Sequence, residues 1–333
     1  VSGDAQGHIQ LVEVDKPASA QRWKAHGSKV FRVQFSPDGR LFASGSAAEG
    51  VSIWDAKSRK LLRKIKIDER SETLDFSADG RWFGVKGVDR LHLFDQKNDW
   101  KKVPVLGLKK PPSGFGFYPS GGLVAVGYGG RVALLDPLTG KVHQELRGRD
   151  GGLSNLLVRS DAQQIMAWGR GKGLTLWDTK TGAVRWSVPA RDSTHIIDAT
   201  FSPDGQRVVL TYSDRYVALY RTDIPFPRRG DVSHTDAVYG VSVSPDGHLV
   251  ASAGLDGKVC LWERKTGKVR RCFMAESKGL GSIDIDHTGQ RLAYAGWDGV
   301  VRILNMETGS SISLFGHVGT VIQVVFSPDS SKL

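Results

Sequence analysis

The chain of 333 residues repeats one short pattern along its whole length. An apolar residue followed by a sequence similar to Ser-Pro-Asp-Gly recurs eight times, at intervals of 41 to 43 residues. Unrelated loops would differ in length by several residues, so this constant spacing indicates a repeat protein in which each copy is one structural unit. The eight apolar positions are Phe35, Phe76, Phe117, Val158, Phe201, Val243, Ile285 and Phe326.

Each copy carries the signals of four strands. An alternating apolar run is followed by the Pro-Asp-Gly-type turn, a second apolar run, a tight glycine turn, and a third run such as VSIWD at 51–55. A turn of the Lys-Thr-Gly type then leads into a fourth strand. No segment of useful length has a helical period. Four strands in a period of 40 to 45 residues predict an all-β fold, a single closed β-propeller of four-stranded antiparallel blades.

The two ends of the chain together supply one more period. Residues 1–15 have the pattern of the end of a second strand and a third strand, and residues 319–333 that of a first strand and the following turn. Pairing them would complete a blade and remove two open sheet edges. The sequence therefore predicts eight blades, closed by pairing the N- and C-terminal strands, with seven blades as the alternative. We expect residues 1–333 to form one domain, cut from a longer protein because the chain begins with Val1.

These copies resemble the WD-repeat β-propeller family over essentially the whole chain, and residues 230–274 match it best. In that family a His, a Ser or Thr, an Asp and a Trp of each copy form a structural hydrogen-bonded set. By motif match the resemblance implies this set for His234, Ser252, Asp256 and Trp262. The first copy has Ala48 at the Asp position, and several copies lack the His. The turn sequence FSPDG resembles that of bacterial members of the family.

Several classes of protein are not expected from this sequence. No apolar stretch is long enough to cross a bilayer, and no signal peptide is visible. The histidines His26, His234 and His317 fall at the repeat's structural position, and the recurring Asp residues fall in turns. We therefore expect no catalytic residues, no metal site and no cofactor. With only two cysteines, a reducing compartment and a cytoplasmic location are expected.

Cys260 and Cys272 flank the turn at Lys265–Gly267 almost symmetrically, so they could face each other across a hairpin. A cross-strand disulfide needs a short separation of the two Cα atoms. We favour two small buried thiols over a bond, and the sequence leaves both possibilities open.

The net charge of +11 is concentrated in a few segments. These segments fall on the outer strand of a blade and the hairpin before it, where charge discourages pairing between sheet edges. The alternative is an anion-binding rim for nucleic acid or acidic lipid. The two largest clusters are Lys57, Arg59, Lys60, Arg63, Lys64 and Lys66, and Lys265, Lys268, Arg270 and Arg271.

The resemblance also implies where a partner would bind, because family members contact partners at three positions per blade on one face. Aromatic residues with arginine are typical of interface hot spots. We expect a non-enzymatic, monomeric interaction scaffold for a protein or peptide, with nucleic acid as the alternative partner. One or two of the apolar residues could instead line the central channel. The predicted partner-binding residues are Lys29, Phe31, Arg70, Tyr128, Arg170, Ile197, Tyr239, Leu255 and Trp297.

Overall fold

The computed structural model describes residues 1–46, 48–105, 108, 110–148, 153–169, 173–189, 194–223, 227–229, 233–275, 277 and 279–333. These residues form four-stranded antiparallel sheets, and one turn of 3-10 helix spans Gln96–Asn98. The strands of residues 1–70 are β1 (Ser2–Asp4), β2 (His8–Glu13), β3 (Lys16–Lys24), β4 (Val30–Phe35), β5 (Leu41–Ser46), β6 (Gly50–Asp55) and β7 (Leu61–Ile65).

The middle of the chain contributes three sheets. Their strands are β8 (Thr73–Phe76), β9 (Trp82–Lys86), β10 (Leu91–Asp95), β11 (Lys101–Val103), β12 (Gly114–Phe117), β13 (Val124–Tyr128), β14 (Arg131–Leu135), β15 (Val142–Arg147), β16 (Asn155–Val158), β17 (Gln164–Gly169), β18 (Gly173–Asp178) and β19 (Val184–Val188).

The last third continues the same order. Its strands are β20 (Ile196–Phe201), β21 (Arg207–Tyr212), β22 (Val217–Arg221), β23 (Pro227–Arg229), β24 (Val238–Val243), β25 (Leu249–Gly254), β26 (Lys258–Glu263), β27 (Val269–Met274), β28 (Leu280–Ile285), β29 (Arg291–Gly296), β30 (Val301–Asn305), β31 (Ser311–Leu314) and β32 (Val321–Val324).

The strands group into eight sheets, and in seven of them four consecutive strands pair in order from one edge to the other. The eighth, which we call the closing sheet, has the order β3-β2-β1-β32. The predicted all-β fold, an eight-bladed β-propeller closed by its N- and C-terminal strands, is confirmed. The short 3-10 helix was not predicted.

Packing divides the chain into two compact units. Unit 1 comprises Val1–Arg70, Ile197–Tyr220 and Pro227–Leu333, and unit 2 comprises Ser71–Ile196 and Arg221–Phe226. Unit 2 contains the sheets of β8–β19, with a core of residues such as Trp82, Phe115 and Leu135. Unit 1 contains the closing sheet, and the candidate site described below is built on this unit alone.

The closing sheet is assembled from both ends of the chain. Ser2 pairs with Val324, and Val12 exchanges both backbone hydrogen bonds with Leu333, at 2.8 and 2.9 Å. Residues 331–333 and β1 therefore lie on the same side of β2. One face of the sheet packs Val12, Val14 and Leu333 against β29 and β30, and the other packs Ile9 and Leu11 against β4 and β5. The closing sheet thus contributes to two separate cores.

The recurring turn between the first and second strands is held by its own side chains. Ser244 Oγ donates to Asp246 Oδ1 over 2.5 Å, and Leu249 N–H donates to Ser244 Oγ over 2.9 Å. Gly247 adopts φ of +69°, a conformation that costs glycine little. These bonds explain why Ser, Asp and Gly recur at fixed spacing. The same Ser-to-Asp bond occurs at Ser36–Asp38, Ser77–Asp79, Ser202–Asp204 and Ser327–Asp329.

The sheet of β24–β27 contains the hydrogen-bonded set implied by the family resemblance. His234 Nδ1 lies 3.0 Å from Asp256 Oδ1, and His234 Nε2 lies 2.8 Å from Ser252 Oγ. The Trp262 Nε1–H donates to the same Ser252 oxygen over 2.8 Å. Each buried polar atom of the set therefore has a partner, as burial requires. The set fastens the loop before β24 to the second and third strands.

Two related sets use acids that the motif did not locate. Glu49, one residue after Ala48, lies 3.7 Å from His26 Nδ1, and His26 Nε2 lies 2.7 Å from Ser44 Oγ. In the closing sheet, His317 Nδ1 lies 3.0 Å from Asp4 Oδ2. A shift of one or two residues within a turn moved these carboxylates away from the aligned position, which is why the sequence pattern missed them.

Neighbouring sheets of unit 1 are also joined along their first strands. A first strand is a sheet edge, so half of its N–H groups have no partner within the sheet. Side chains from the preceding sheet accept hydrogen bonds from these groups. The bonds are Ile285 N–H to Ser242 Oγ (3.2 Å), Val324 N–H to Ser282 Oγ (3.1 Å), Phe326 N–H to Asp284 Oδ2 (2.9 Å) and Val33 N–H to Gln323 Oε1 (3.0 Å).

Two acidic residues belong to this set of edge strands. Burial raises the pKa of Asp284 to about 7, although the Phe326 N–H stabilises its ionised form. Burial likewise raises the pKa of Asp198 to about 6, against the opposing effects of the Ala199 N–H and the Arg32 charge. In both cases the loss of hydration is the larger effect, so the neutral acid is favoured in the folded chain.

Cys260 and Cys272 are joined by a disulfide, so our expectation of two free thiols was wrong. The two residues are direct partners on β26 and β27, with their Cα atoms 4.1 Å apart. Such close pairs occur where antiparallel residues face each other without exchanging backbone hydrogen bonds. Sequence symmetry about the turn indicated that they face each other but not that they are bonded.

Removing residues 1–14 should abolish cooperative unfolding of unit 1. The truncation deletes β1 and β2 and exposes two cores together with the free edge of β32. We expect a broadened thermal transition or aggregation, measured by calorimetry and size-exclusion chromatography. The single change Leu11→Ala should cost about 2–5 kcal/mol, whereas Leu62→Ala, at an exposed side chain, should cost less than about 1 kcal/mol. An unchanged melting curve for the truncation would contradict the pairing of the two ends.

Asp284→Asn should change the dependence of stability on pH. Because the folded-state pKa of Asp284 lies above that of the unfolded chain, this residue destabilises the fold increasingly as pH rises towards 7. The free energy of unfolding of the variant, relative to wild type, should increase by about 2–3 kcal/mol between pH 5 and pH 8. Urea denaturation at several pH values measures this difference. The matched change Asp68→Asn is made at an exposed carboxyl, and equal pH profiles for the two variants would refute the assignment.

Candidate functional site

Unit 1 carries exposed apolar side chains on its turns, on a loop that enters a first strand, and at the irregular start of the first strand β24. The exposed fractions are 60% for Trp297, 45% for Tyr239, 73% for Phe315 and 70% for Val318. Leu255 is half-buried beside them. We call these five residues the loop face. Contiguous exposed apolar groups of this kind are typical of binding surfaces, whereas isolated ones are ordinary.

Backbone contacts join the members of the loop face from sheet to sheet. Leu255 O accepts a hydrogen bond from Gly279 N–H at 3.0 Å. A Cβ at Gly279 would lie 2.3 Å from Cδ2 of Trp297, and Gly279 has φ of +81°. Glycine is therefore required where the Trp297 ring crosses this loop. On the other side of that turn, a Cβ at Gly299 would lie 3.0 Å from the carbonyl oxygen of His317, next to Val318.

A basic aromatic group lies further along the same series of loops. Lys29 Nζ is 5.1 Å and Arg70 Cζ is 5.5 Å from the centre of the Phe31 ring. Both distances are within the range of cation–π attraction. The loop that carries Lys29 contacts the closing sheet, because a Cβ at Gly7 would lie 2.6 Å from the carbonyl oxygen of Ser28.

Phe315 and Val318 were not predicted, because only three positions per blade were transferred from the family. Both residues lie in the loop between β31 and β32, on either side of Gly316 and His317. Two large apolar residues close to the histidine of a surface loop could have indicated this exposed apolar site from the sequence. At the position after the histidine, where this loop has Val318, two other loops carry a small or polar residue, Gly27 after His26 and Thr235 after His234.

The expected exposure of Tyr128 is wrong. Its side chain is only 3% exposed and packs in the core of unit 2 with Phe115 and Val126. Its hydroxyl donates to the Glu145 carboxylate. Burial, helped by this bond, raises the pKa of Tyr128 to about 12. The strand β13 continues to Tyr128, so the side chain follows the inward alternation of the strand and does not lie on a turn.

The other predicted partner-binding residues lie in different parts of the structure. Ile197 is half-buried at the start of β20 and does not project as an anchor. Lys29 and Phe31 are half-buried, and Arg70 is exposed. Arg170 lies outside the described residues. The structure therefore links Leu255 to Trp297 through Gly279, and Leu255 N–H donates to the carbonyl oxygen of Ala237, two residues before Tyr239. Lys29, Phe31 and Arg70 form a separate group on unit 1.

The His234 set has the connectivity of a catalytic triad, with a carboxylate on Nδ1 and a serine on Nε2. Its burial excludes the corresponding chemistry. Ser252 is 0% exposed, and its oxygen already accepts the Trp262 indole N–H. Burial lowers the pKa of His234, although Asp256 opposes this effect. A nucleophile must reach substrate, so this arrangement stabilises the sheet and does not form an active site.

In the part of the chain that the structure describes, no helix has the length and apolar character needed to span a membrane.

The fold and these buried sets define a class of protein, the β-propeller built from repeats with an internal His–Ser–Asp–Trp network. The family model described as "WD domain, G-beta repeat" matches residues 18–55 and 229–263. The second match contains the complete His234 set. In these two segments, about a fifth of the chain, the protein is similar to WD repeats.

Relatives with this kind of repeat align with about three fifths of the chain. The U3 small nucleolar RNA-associated protein 15 homolog of Xenopus tropicalis is 23% identical over 211 residues, covering 61% of this chain and 39% of that protein. WD repeat-containing protein 90 of the same species is 26% identical over 229 residues, covering 62% of this chain and 12% of that protein. The chain thus spans well under half the length of either relative. Both are eukaryotic, so these relatives do not support a bacterial origin.

A solved structure supports the fold over nearly the whole chain. The crystal structure of the computationally designed Ika8 protein aligns with a TM-score of 0.78 and 18% identity, covering 92% of this chain and 96% of the designed one. At this identity the likeness shows the fold alone.

Trp262→Ala should destabilise the protein far more than Trp297→Ala. Trp262 is fully buried and satisfies Ser252, so its truncation leaves a cavity and unpaired polar groups. We expect a loss of about 3–5 kcal/mol for Trp262→Ala and less than about 1 kcal/mol for Trp297→Ala. Chemical denaturation of the two variants measures both values. The opposite ranking would show that the buried and exposed tryptophans are wrongly assigned.

Proposed function

We propose that the protein is a non-enzymatic scaffold that binds a protein or peptide through the loop face of unit 1. The observation that supports this most is the set of large exposed apolar side chains, with the Trp297 ring packed across Gly279. Aromatic side chains provide much contact area at little entropic cost, because they have few rotatable bonds. A rigid aromatic surface is suited to binding and offers no chemistry of its own.

The chemistry beside the loop face favours a partner that combines apolar and acidic residues. Lys29 and Arg70 both approach the Phe31 ring, so two positive charges lie at one aromatic side chain. The whole chain carries a net charge of +11. An apolar segment would cover Trp297, Val318 and Phe315, and an adjacent carboxylate would pair with the cations near Phe31.

The outer strand β7 supports a second candidate, binding to nucleic acid. Lys57, Lys60, Lys64 and Lys66 are exposed on this strand and its flanking turns. None of the salt bridges between described residues involves these four lysines. The name of one relative describes it as RNA-associated. Unpaired lysines attract phosphates without regard to sequence, so we rank this candidate second.

Truncating the loop face should weaken binding of the protein partner. A partner captured from cell extract on wild-type protein should bind the double variant Trp297→Ala, Tyr239→Ala with at least about tenfold lower affinity. The matched control is Met274→Ala, Ile312→Ala, which removes exposed apolar side chains from the outer strands β27 and β31. We expect the control to retain wild-type affinity. Equal losses for the two double variants would contradict the proposal.

Salt dependence separates the two candidate functions. The affinity of binding through desolvated aromatic area should change little between low and moderate salt. The affinity of binding through phosphate contacts should fall steeply, because the release of counterions becomes less favourable as salt rises. The charge reversals Lys60→Glu and Lys64→Glu should affect only the second mode. Titration of the captured partner, and of single-stranded RNA, at two salt concentrations gives the comparison. Steep salt dependence with no effect of the aromatic changes would favour nucleic acid.

A further inference from the structure

The disulfide between β26 and β27 has one buried and one accessible sulfur-bearing residue. Cys260 is fully buried, in a core cluster that includes Trp262 and Val250. Cys272 is exposed on β27, the outermost strand of its sheet. The bond therefore crosses from the core to the surface within one sheet, and a molecule in solution can approach only the Cys272 end.

The accessible end lies in a strongly positive segment. Arg270 and Arg271 directly precede Cys272, and both side chains are exposed. The Arg271 guanidinium stacks on the Phe273 ring, 4.5 Å from its centre, so in the part of the chain that the structure describes Arg270 is the arginine beside Cys272 without a ring contact. Lys265 and Lys268 are exposed in the hairpin that leads to β27. Among the described residues, none of these four cations forms a salt bridge. The nearest acid in the hairpin, Glu263, accepts a hydrogen bond from Thr266 Oγ1 at 2.6 Å.

Positive charge around an exposed disulfide has two chemical effects. It raises the local concentration of anionic reactants. It also stabilises any thiolate that forms or leaves nearby, which speeds thiol–disulfide exchange. Burial disfavours a thiolate at Cys260 and so slows the exchange, but it leaves the outer sulfur at Cys272 open to attack.

We propose that Cys272 is a site of thiol–disulfide exchange with small anionic thiols. The thiolate of such a molecule attacks Cys272 Sγ and breaks the bond to Cys260 Sγ. Cys272 then carries a mixed disulfide, and Cys260 leaves as a thiolate that takes up one proton. A second thiolate attacks the sulfur of the first adduct, releasing the small disulfide and a Cys272 thiolate. Two small thiols are oxidised and one protein disulfide is reduced to two thiols.

The position of Cys260 indicates what the exchange leaves intact. Cys260 pairs in register with Ser252 on one side and with Cys272 on the other. The His234 set is built on Ser252 and does not involve either sulfur. Opening the disulfide should therefore leave the inner three strands in place. The mixed disulfide would add negative charge to β27 and offset the charge of Arg270 and Arg271.

The test compares two small thiols of similar size, anionic 2-mercaptoethanesulfonate and neutral 2-mercaptoethanol, on the native chain. Rates are expressed per thiolate, products are trapped by alkylation, and adducts are located by peptide mass spectrometry. We expect the first adduct on Cys272 only, and a faster reaction with the anionic thiol. The double variant Arg270→Gln, Arg271→Gln should reduce the anionic-to-neutral rate ratio by at least about threefold.

The matched control is Lys101→Gln, Lys102→Gln, which removes the same charge from exposed residues of the outer strand β11. It should leave the ratio unchanged. If the arginine variant does not fold, raising the salt concentration on wild-type protein should lower the ratio in the same way. Three results would each overturn the proposal: reduction only in denaturant, an adduct on Cys260, or a ratio that neither the arginine changes nor salt alters.

Discussion

The pairing of β1 with β32 supports much of unit 1, because it completes the closing sheet. One face of this sheet, with residues from both chain ends, covers β29 and β30, and the other face covers β4 and β5. The His317–Asp4 bond then ties the loop before β32 to β1. That loop presents Phe315 and Val318 at the surface. The geometry of the candidate site therefore depends on a sheet built from residues more than 300 positions apart.

Short polar bonds set the spacing of the repeat, while apolar packing supplies most of the stability. The Ser-to-Asp turn bonds recur where the sequence has Ser-Pro-Asp-Gly or a close variant. The His sets and the edge bonds to Asp284 and Ser282 satisfy buried or unpaired backbone groups that would otherwise destabilise the fold. Other turn and loop side chains, such as Trp297 and Val318, are exposed and take no part in these bonds. Binding residues can occupy those positions without disturbing the core.

Regular features were predictable from the sequence, and local shifts were not. The period of the repeat predicted eight four-stranded sheets and the pairing of both ends. Shifts of one or two residues within turns of equal length hid Glu49 and Asp4 as partners of His26 and His317. Strand β13 extends to Tyr128, which buried a residue expected on a turn. The sequence showed that Cys260 and Cys272 face each other, but their bond depends on a separation that only the register of β26 and β27 determines.

We propose that a partner binds at the loop face of unit 1. Site-specific photocrosslinking tests it most directly, with a photoreactive phenylalanine analogue placed at Trp297, at Val318 or, as a control, at Met274. All three side chains are exposed, but Met274 lies on the outer strand β27. We predict crosslinks to the captured partner from positions 297 and 318 and none from position 274. Crosslinks from position 274 alone would place the partner on the outer strand and contradict the account.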